Sequence, residues 1–193
     1  MEETNQKIII LTAPSGAGKT TIKTKLLSAL PQNLSFSVSA TTRKIRGNEK
    51  EGVDYFYISE DDFKSKVSQH AFIECEMVYP GLYYGTTMDE IQRIWGEHKI
   101  PLLDIDVKGA LNIKKQFGNN ALTLFIEPPS LEILNQRLTN RGTDTAENIA
   151  MRIEKATIEL QYRDQFDAVI VNDDLKTATD QTIANVMNFI SRG

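Results

Sequence analysis

The segment LTAPSGAGKTT at residues 11–21 constrains the fold of this chain more than any other stretch of its sequence. It follows an apolar run at residues 8–11 and precedes apolar residues at helical spacing, which continue to Pro31. A strand, a glycine-rich turn and a helix that begins with Lys-Thr match the phosphate-binding loop, whose template is G-x-x-x-x-G-K-[ST]. The sequence therefore predicts a strand–loop–helix unit that binds phosphate groups.

The end of the loop matches the template at Gly18, Lys19 and Thr20, while Ala13 occupies the position of its first glycine. Glycines let successive backbone N–H groups turn towards phosphate oxygens, and the start of the helix adds positive potential. An alanine fits the first position if its φ is negative. The alternative is a tight turn with a solvated lysine, which the flanking strand and helix disfavour. The predicted nucleotide-binding residues of the loop are Ala13, Pro14, Ser15, Gly16, Ala17, Gly18, Lys19, Thr20 and Thr21.

Chemical roles for two of these residues follow from the template. Lys19 is expected to reach the β- and γ-phosphates of a nucleotide, and the Thr20 hydroxyl is expected to be a ligand of Mg²⁺.

Other apolar runs lie at residues 101–107, 121–126 and 168–171, and segments of helical period separate or follow them. Strands that are apolar on both faces are typical of a buried parallel sheet. We therefore expect an α/β fold in which helices flank a parallel sheet.

The sequence between residues 34 and 88 has a different character. Side chains at residues 53–58 alternate in character as those of half-buried antiparallel strands do. A short helix is expected to contain Phe63, and YPGLYYG at 79–85 is expected to form a turn. We interpret this stretch as an inserted mixed α/β lobe, and the polar segment 139–148 as a flap between two helices. The predicted parts are a core (1–35, 89–136 and 164–193), a lobe (36–88) and a helical lid (about 137–163).

Composition narrows the possible functions. The chain has 22 basic and 26 acidic residues, which argues against neutralisation of a nucleic-acid backbone. Its single cysteine, Cys75, and two histidines rule out an internal disulfide and an ordinary structural zinc site. No signal segment and no run of about 20 apolar residues is present. We expect a cytoplasmic protein without nucleic-acid or membrane partners.

Four segments of the chain, taken together, resemble the guanylate kinase family. They are FSVSATTRKIRGNEKEGVDYFYI, FIECEMVYPGLYYGT, LLDIDVKGA and VIVNDD, in the family's order and spread over nearly the whole chain. The resemblance implies a core that binds ATP, a lobe that binds GMP and a mobile lid. It also implies phosphoryl transfer from ATP to GMP in guanine nucleotide metabolism.

The same resemblance implies roles for residues of the lobe. It places Ser39, Glu74, Thr86 and Asp104 towards guanine, and Arg43, Arg46, Tyr55 and Tyr84 at the GMP phosphate. The chemistry is consistent, because a carboxylate such as Glu74 accepts two parallel hydrogen bonds from guanine N1–H and its amino group. Adenine presents a lone pair there, so AMP should be rejected. Each assignment has a structural alternative. Glu74 could be a solvated charge, Arg43 and Arg46 could belong to a solvated basic loop, and the two tyrosines could be core residues.

The transfer itself needs cations rather than a general base. The second pKa of a phosphate monoester lies near ~6, so the acceptor is already largely ionised at neutral pH. Lys19, Arg43 and Mg²⁺ are expected to supply charge at the migrating phosphoryl group. Family motifs add Arg137, Arg141 and Arg152, whose alternative is helix-surface charge paired with Glu132, Glu147 or Glu154.

Asp104 and Asp106 end an apolar strand, where an open α/β sheet places its ligand crevice. Asp104 is expected to bind Mg²⁺ through water or to meet guanine, and Asp106 to lie in the substrate site. Asn172 resembles the family's adenine-contacting position, although an asparagine that begins a turn is the local alternative.

Two rival functions remain open at this point. One is another P-loop kinase of a small molecule or nucleotide, and the other is a non-catalytic guanylate-kinase-like binding module. The sequence leaves oligomeric state and use of deoxy-GMP undetermined.

Overall fold

The computed structural model describes residues 6–79, 81–142 and 144–192. Pro80 of the predicted turn and Thr143 of the predicted flap lie outside these ranges, as do residues 1–5. The strands are β1 (Ile8–Thr12), β2 (Leu34–Phe36), β3 (Ala40–Thr41), β4 (Phe56–Tyr57), β5 (Phe72–Tyr79), β6 (Leu82–Thr87), β7 (Ile100–Asp104), β8 (Ala121–Glu127) and β9 (Ala168–Val171). The α-helices are α1 (Lys19–Ala29), α2 (Glu60–Ser68), α3 (Met88–Gly96), α4 (Val107–Phe117), α5 (Leu131–Asn140), α6 (Ala146–Leu160) and α7 (Leu175–Ser191).

A five-stranded parallel sheet forms the centre of the molecule, with strand order β2-β7-β1-β8-β9. Successive residues of β1 face opposite sides, and both sides are buried. Ile9 and Leu11 pack against the side covered by α1 and α7, while Ile8 and Ile10 pack against the side covered by α3 and α4. Burial on both faces explains the continuous apolar run at the start of the chain and confirms the predicted parallel sheet.

A second sheet of four strands, in the order β4-β3-β6-β5, forms the inserted lobe. The chain passes from the central sheet into this lobe after β2 and returns at the start of α3. Phe63 of α2 stacks between the rings of Phe72 and Tyr83, so the helix packs on the lobe sheet.

Two predictions about strands were wrong. Residues 53–58 do not form antiparallel strands, because Lys50 N–H donates to Asp54 and Gly52 N–H donates to Tyr55, which makes a turn. Within this stretch only β4 is a strand, and it pairs parallel to β3.

The apolar run at 101–107 is not a continuous strand either. Asp106 accepts the N–H of Gly109 and caps α4, so the strand stops at Asp104.

None of the helices in the ranges given above combines the length and the apolar character that a membrane span requires.

Candidate functional site

A cleft of about 930 Å³ lies where the phosphate loop, the end of β7, the lobe sheet and α6 meet. Lys19 and Glu74 both line it, so one cavity joins the loop to the lobe. Many residues predicted for the site also line it: Ala13, Pro14, Ser15, Gly16, Gly18, Thr20, Thr21, Ser39, Tyr55, Tyr84, Asp104, Asp106, Arg137, Arg141 and Arg152.

The phosphate loop depends on two glycines with left-handed backbone. Gly16 has φ 94° and Gly18 has φ 98°, values that side chains rarely allow. A Cβ atom at Gly16 would lie 2.9 Å from the Leu138 side chain, and one at Gly18 would lie 2.2 Å from Asn172 Nδ2. In the part of the chain that is described, the non-glycine residues with positive φ are His70 and His98, so Ala13 meets the condition for its position.

Asn172 lies behind this loop and is 5% exposed. Its side-chain Nδ2 donates to Ala17 O at 2.7 Å, and its backbone carbonyl accepts from Arg137 Nη2 at 2.9 Å. The amide side chain therefore contacts the loop backbone, and the same residue connects the loop to α5.

Lys19 contacts the carboxylate that ends β7. Lys19 Nζ lies 2.5 Å from Asp104 Oδ1, and Lys23 Nζ lies 2.9 Å from Asp104 Oδ2. Burial alone would raise the pKa of Asp104, but the two ammonium groups outweigh it and hold that pKa below its usual range.

The donor set near Lys19 fits a magnesium ion that also uses phosphate oxygens. Thr20 is exposed at the start of α1, and its hydroxyl and the Asp104 carboxylate are the hard oxygen ligands that Mg²⁺ prefers. The described residues contain no group of three or more His, Cys, Asp and Glu that could hold a metal by itself. Mg²⁺ at this place would complete its shell with substrate oxygens and water.

On the lobe side, Glu74 forms a chain of hydrogen bonds with two hydroxyls. Thr86 donates to Glu74 Oε1 at 2.9 Å, and Ser39 Oγ lies 3.1 Å from Thr86 Oγ1. Burial, with a smaller contribution from Asp106, raises the pKa of Glu74 to about 7. Gly109 makes room for the carboxylate, since a Cβ there would lie 2.9 Å from Glu74 Oε2.

Arg43 lies in an aromatic cage in the same lobe. Its Nε donates to the Tyr84 hydroxyl at 3.1 Å, and its guanidinium lies 4.9 Å from the centre of the Tyr55 ring. Glu49 accepts from both Nη atoms of Arg43, and this bond lowers the pKa of Glu49 to about 2. Tyr57 also donates to Glu49, at 2.8 Å.

Arg46 does not join the cage. It is exposed and its backbone N–H donates to Glu49. Like Arg43 and Thr86, it is absent from the lining of the cleft as far as the described residues go.

The three arginines of α5, α6 and the segment between them all face the cleft. Arg152 donates to Ser15 Oγ in the phosphate loop and pairs with Asp144 at 3.1 Å. It contacts these residues rather than Glu147 or Glu154 on its own helix. This arrangement links α6 directly to the loop and favours the functional interpretation over helix-surface charge.

Sequence reasoning missed two kinds of site residue: Lys23, Glu49 and Tyr57 contact predicted residues, and others line the cleft itself, among them Glu76, Asp144, Lys155 and Glu159. Lys23 follows Lys19 by four residues, so the helical period could have placed it on the same side of α1. Glu49 and Asp144 lie in irregular segments, where no spacing rule predicts a partner.

Comparison with known proteins points to one family. The family model described as guanylate kinase matches residues 5–191. A guanylate kinase of Chlorobium chlorochromatii is 47% identical over 97% of this chain and 98% of that protein, and one of Salinibacter ruber is 46% identical over the same shares. The crystal structure of guanylate kinase from Anaplasma phagocytophilum superimposes with a TM-score of 0.73 at 30% identity. The superposition covers 94% of this chain and 84% of the Anaplasma phagocytophilum chain.

Proposed function

This chain belongs to the guanylate kinase family, and we propose from that premise how the residues of its cleft carry the family's reaction. The chain is an enzyme that transfers a phosphoryl group from ATP to GMP and releases ADP and GDP. The resemblance drawn from its sequence motifs is thereby confirmed. The assignments of individual residues below are proposals.

The phosphate loop binds the ATP phosphates. Backbone N–H groups around Gly16 and Gly18 face the phosphate oxygens, and Lys19 turns from Asp104 to the β- and γ-phosphates. Asn172 supports the loop from behind through Ala17 instead of contributing its side chain to the cleft surface. We therefore propose that Asn172 positions the loop.

The Thr20 hydroxyl and the Asp104 carboxylate would hold Mg²⁺, which supplies positive charge for the phosphate oxygens when it is bound. Asp106 caps α4 with its carboxylate and so holds the start of that helix next to Glu74. Its proposed role is to shape the substrate site by fixing this helix start.

The lobe binds GMP through its base and its phosphate. Glu74, when ionised, accepts the guanine N1–H and amino donors, and the Ser39 hydroxyl donates to O6, while Thr86 keeps its single hydroxyl proton on Glu74. Arg43, Tyr55 and Tyr84 bind the phosphate. Arg46 stays a prediction for this group, since it would have to turn inward when GMP binds.

The phosphoryl transfer depends on the positioning of the substrates and on positively charged side chains. The GMP phosphate is ionised at neutral pH, so no side chain has to remove a proton. Lys19 and the arginines Arg137, Arg141 and Arg152 stabilise the charge of the migrating phosphoryl group. Closure of α5 and α6 over the cleft excludes water, which would otherwise hydrolyse ATP.

One observation carries this assignment of roles: Lys19 and Glu74 line the same cleft, with a buried Thr86 hydroxyl bonded to Glu74. The test is ADP release with GMP, deoxy-GMP, AMP, CMP and UMP as acceptors. We expect activity with GMP and a loss of more than about 100-fold with AMP, because adenine leaves the carboxylate unpaired. A Lys19→Met variant is the inactive control.

Two outcomes would favour the rival functions. Comparable rates with AMP or CMP would point to another P-loop kinase, and GMP binding without ADP release would point to a non-catalytic module. The intact loop and the complete Ser39, Glu74 and Thr86 set argue against both.

A further inference from the structure

A second lysine, Lys23, contacts the carboxylate of Asp104, and the reaction described above gives it no role. Lys23 Nζ lies 2.9 Å from Asp104 Oδ2, and its side chain is 18% exposed. Lys19 holds the other oxygen of the same carboxylate, at 2.5 Å. One carboxylate at the edge of the cleft therefore has one ammonium group on each oxygen.

The position of Lys23 is fixed from a second side. Its Nζ lies 4.1 Å from the centre of the Phe36 ring, within the range of a cation–π contact. Phe36 ends β2 and pairs with Leu102 of β7, two residues before Asp104. The ammonium group of Lys23 is thus located by the sheet as well as by its own helix.

In the proposed function, the Lys19 ammonium group turns from Asp104 to the phosphates of ATP. When Lys19 moves, Asp104 would lose a partner although its side chain is only 17% exposed. Without Lys23, and before a metal ion binds, this poorly solvated carboxylate would then have no charged partner, which would oppose the departure of Lys19.

We propose that Lys23 is a positioning residue that keeps Asp104 paired and in place while Lys19 moves to the ATP phosphates. The inference rests on the proposed role of Lys19 as a phosphate ligand. Lys23 lowers the cost of separating Lys19 from Asp104 and so favours ATP binding, and GMP binding does not require it.

The test compares three variants of the full chain in ATP and GMP binding, measured by calorimetry with EDTA and without the second substrate. Lys23→Met keeps the apolar stem but loses the charge, and Lys23→Arg keeps the charge. Lys25→Met removes an exposed lysine of the same helix and is the matched control. We expect Lys23→Met to weaken ATP binding by about tenfold and GMP binding by less than about twofold. Lys23→Arg should restore most of the affinity, and Lys25→Met should resemble the parent.

A double-mutant cycle with Asp104→Asn separates an action through Asp104 from a direct action on ATP. With Asp104→Asn present, Lys23→Met should change ATP binding by less than about twofold, since no charge remains to be paired. The same loss in both backgrounds would overturn the proposal, as would unchanged ATP binding in Lys23→Met alone. Retained GMP binding shows that the variants fold. Failure of the parent to release ADP with GMP would instead refute the proposed function.

Discussion

At the scale of single residues, the environment of Glu74 sets the pH range in which its proposed contact with guanine can form. A carboxylate can accept two N–H donors of guanine only when it is ionised. Burial raises the pKa of Glu74 to about 7, so a large part of the free protein carries a protonated Glu74 in mildly acidic solution. GMP binding must then release that proton.

The first prediction concerns the pH dependence of GMP binding. Since the bound state requires ionised Glu74, affinity should rise as pH increases towards about 7 and level off above it. One released proton allows a change of up to about tenfold per pH unit below that value. Calorimetry in buffers of different ionisation enthalpy should detect the proton directly near pH ~6.

The matched control is Glu74→Gln, which cannot titrate. It should bind GMP more weakly above neutral pH and keep only the pH dependence that comes from the GMP phosphate, whose second pKa lies near ~6. Its ATP affinity should stay nearly unchanged. Equal pH profiles for the parent and Glu74→Gln would contradict the role of Glu74 in guanine binding.

At the scale of elements, the phosphate loop is shaped by the strand that lies behind it. β9 ends at Val171, and the next residue, Asn172, bonds to the loop through Ala17 O and to α5 through Arg137. Gly18 must lack a side chain because Asn172 Nδ2 occupies the space. Loop, strand end and helix therefore form one connected unit.

The second prediction tests this connection with Asn172→Ala. The change leaves the buried Ala17 carbonyl without its partner, which should lower the free energy of unfolding by about 1–3 kcal/mol. Because the loop is then poorly positioned, the KM for ATP should rise while the KM for GMP changes little. Urea unfolding and steady-state kinetics measure the two effects.

Asp173→Asn is the control for that experiment, since Asp173 is the exposed neighbour of Asn172. It should leave both quantities as in the parent. A rise in the KM for GMP equal to that for ATP in Asn172→Ala would show a general disturbance instead of a loop-positioning role.

At the scale of the whole molecule, the cleft separates three groups of elements. The central sheet supplies the phosphate loop, the lobe sheet supplies Glu74 and Tyr84, and α6 reaches the loop through Arg152 and Ser15. Phosphoryl transfer requires the two substrates in contact with water excluded, so the lobe and α6 should approach when both are bound.

The third prediction is a shorter distance between the lobe and α6 in the ternary complex. Spin labels at Ser68→Cys on α2 and Glu154→Cys on α6, both exposed positions, report it in a Cys75→Ser background. GMP together with a non-hydrolysable ATP analogue should shorten the distance more than either ligand alone. Labels at Lys25→Cys and Met187→Cys, on the packed helices α1 and α7, should show no change. An unchanged distance in the first pair would contradict closure.

The sequence by itself determined the features that depend on local order. Buried parallel strands need apolar residues on both faces, so the starts of β1 and β8 agree with the apolar runs. The phosphate loop was predictable because strand, glycines, lysine and helix are consecutive. Family motifs predicted that Glu74 and three arginines belong to one site, and all four line the cleft.

Only the tertiary structure decided which of these residues act on one another. Lys23 and Asp104 are 81 positions apart in the chain, and Asn172 and Ala17 are 155 apart. No local pattern encodes such pairs, because the sheet order brings them together. The alternation at residues 53–58 misled for a different reason, since short-range hydrogen bonds to Asp54 and Tyr55 formed a turn there instead of a strand. The pKa of Glu74 is likewise a property of its burial, which exists only in the folded chain.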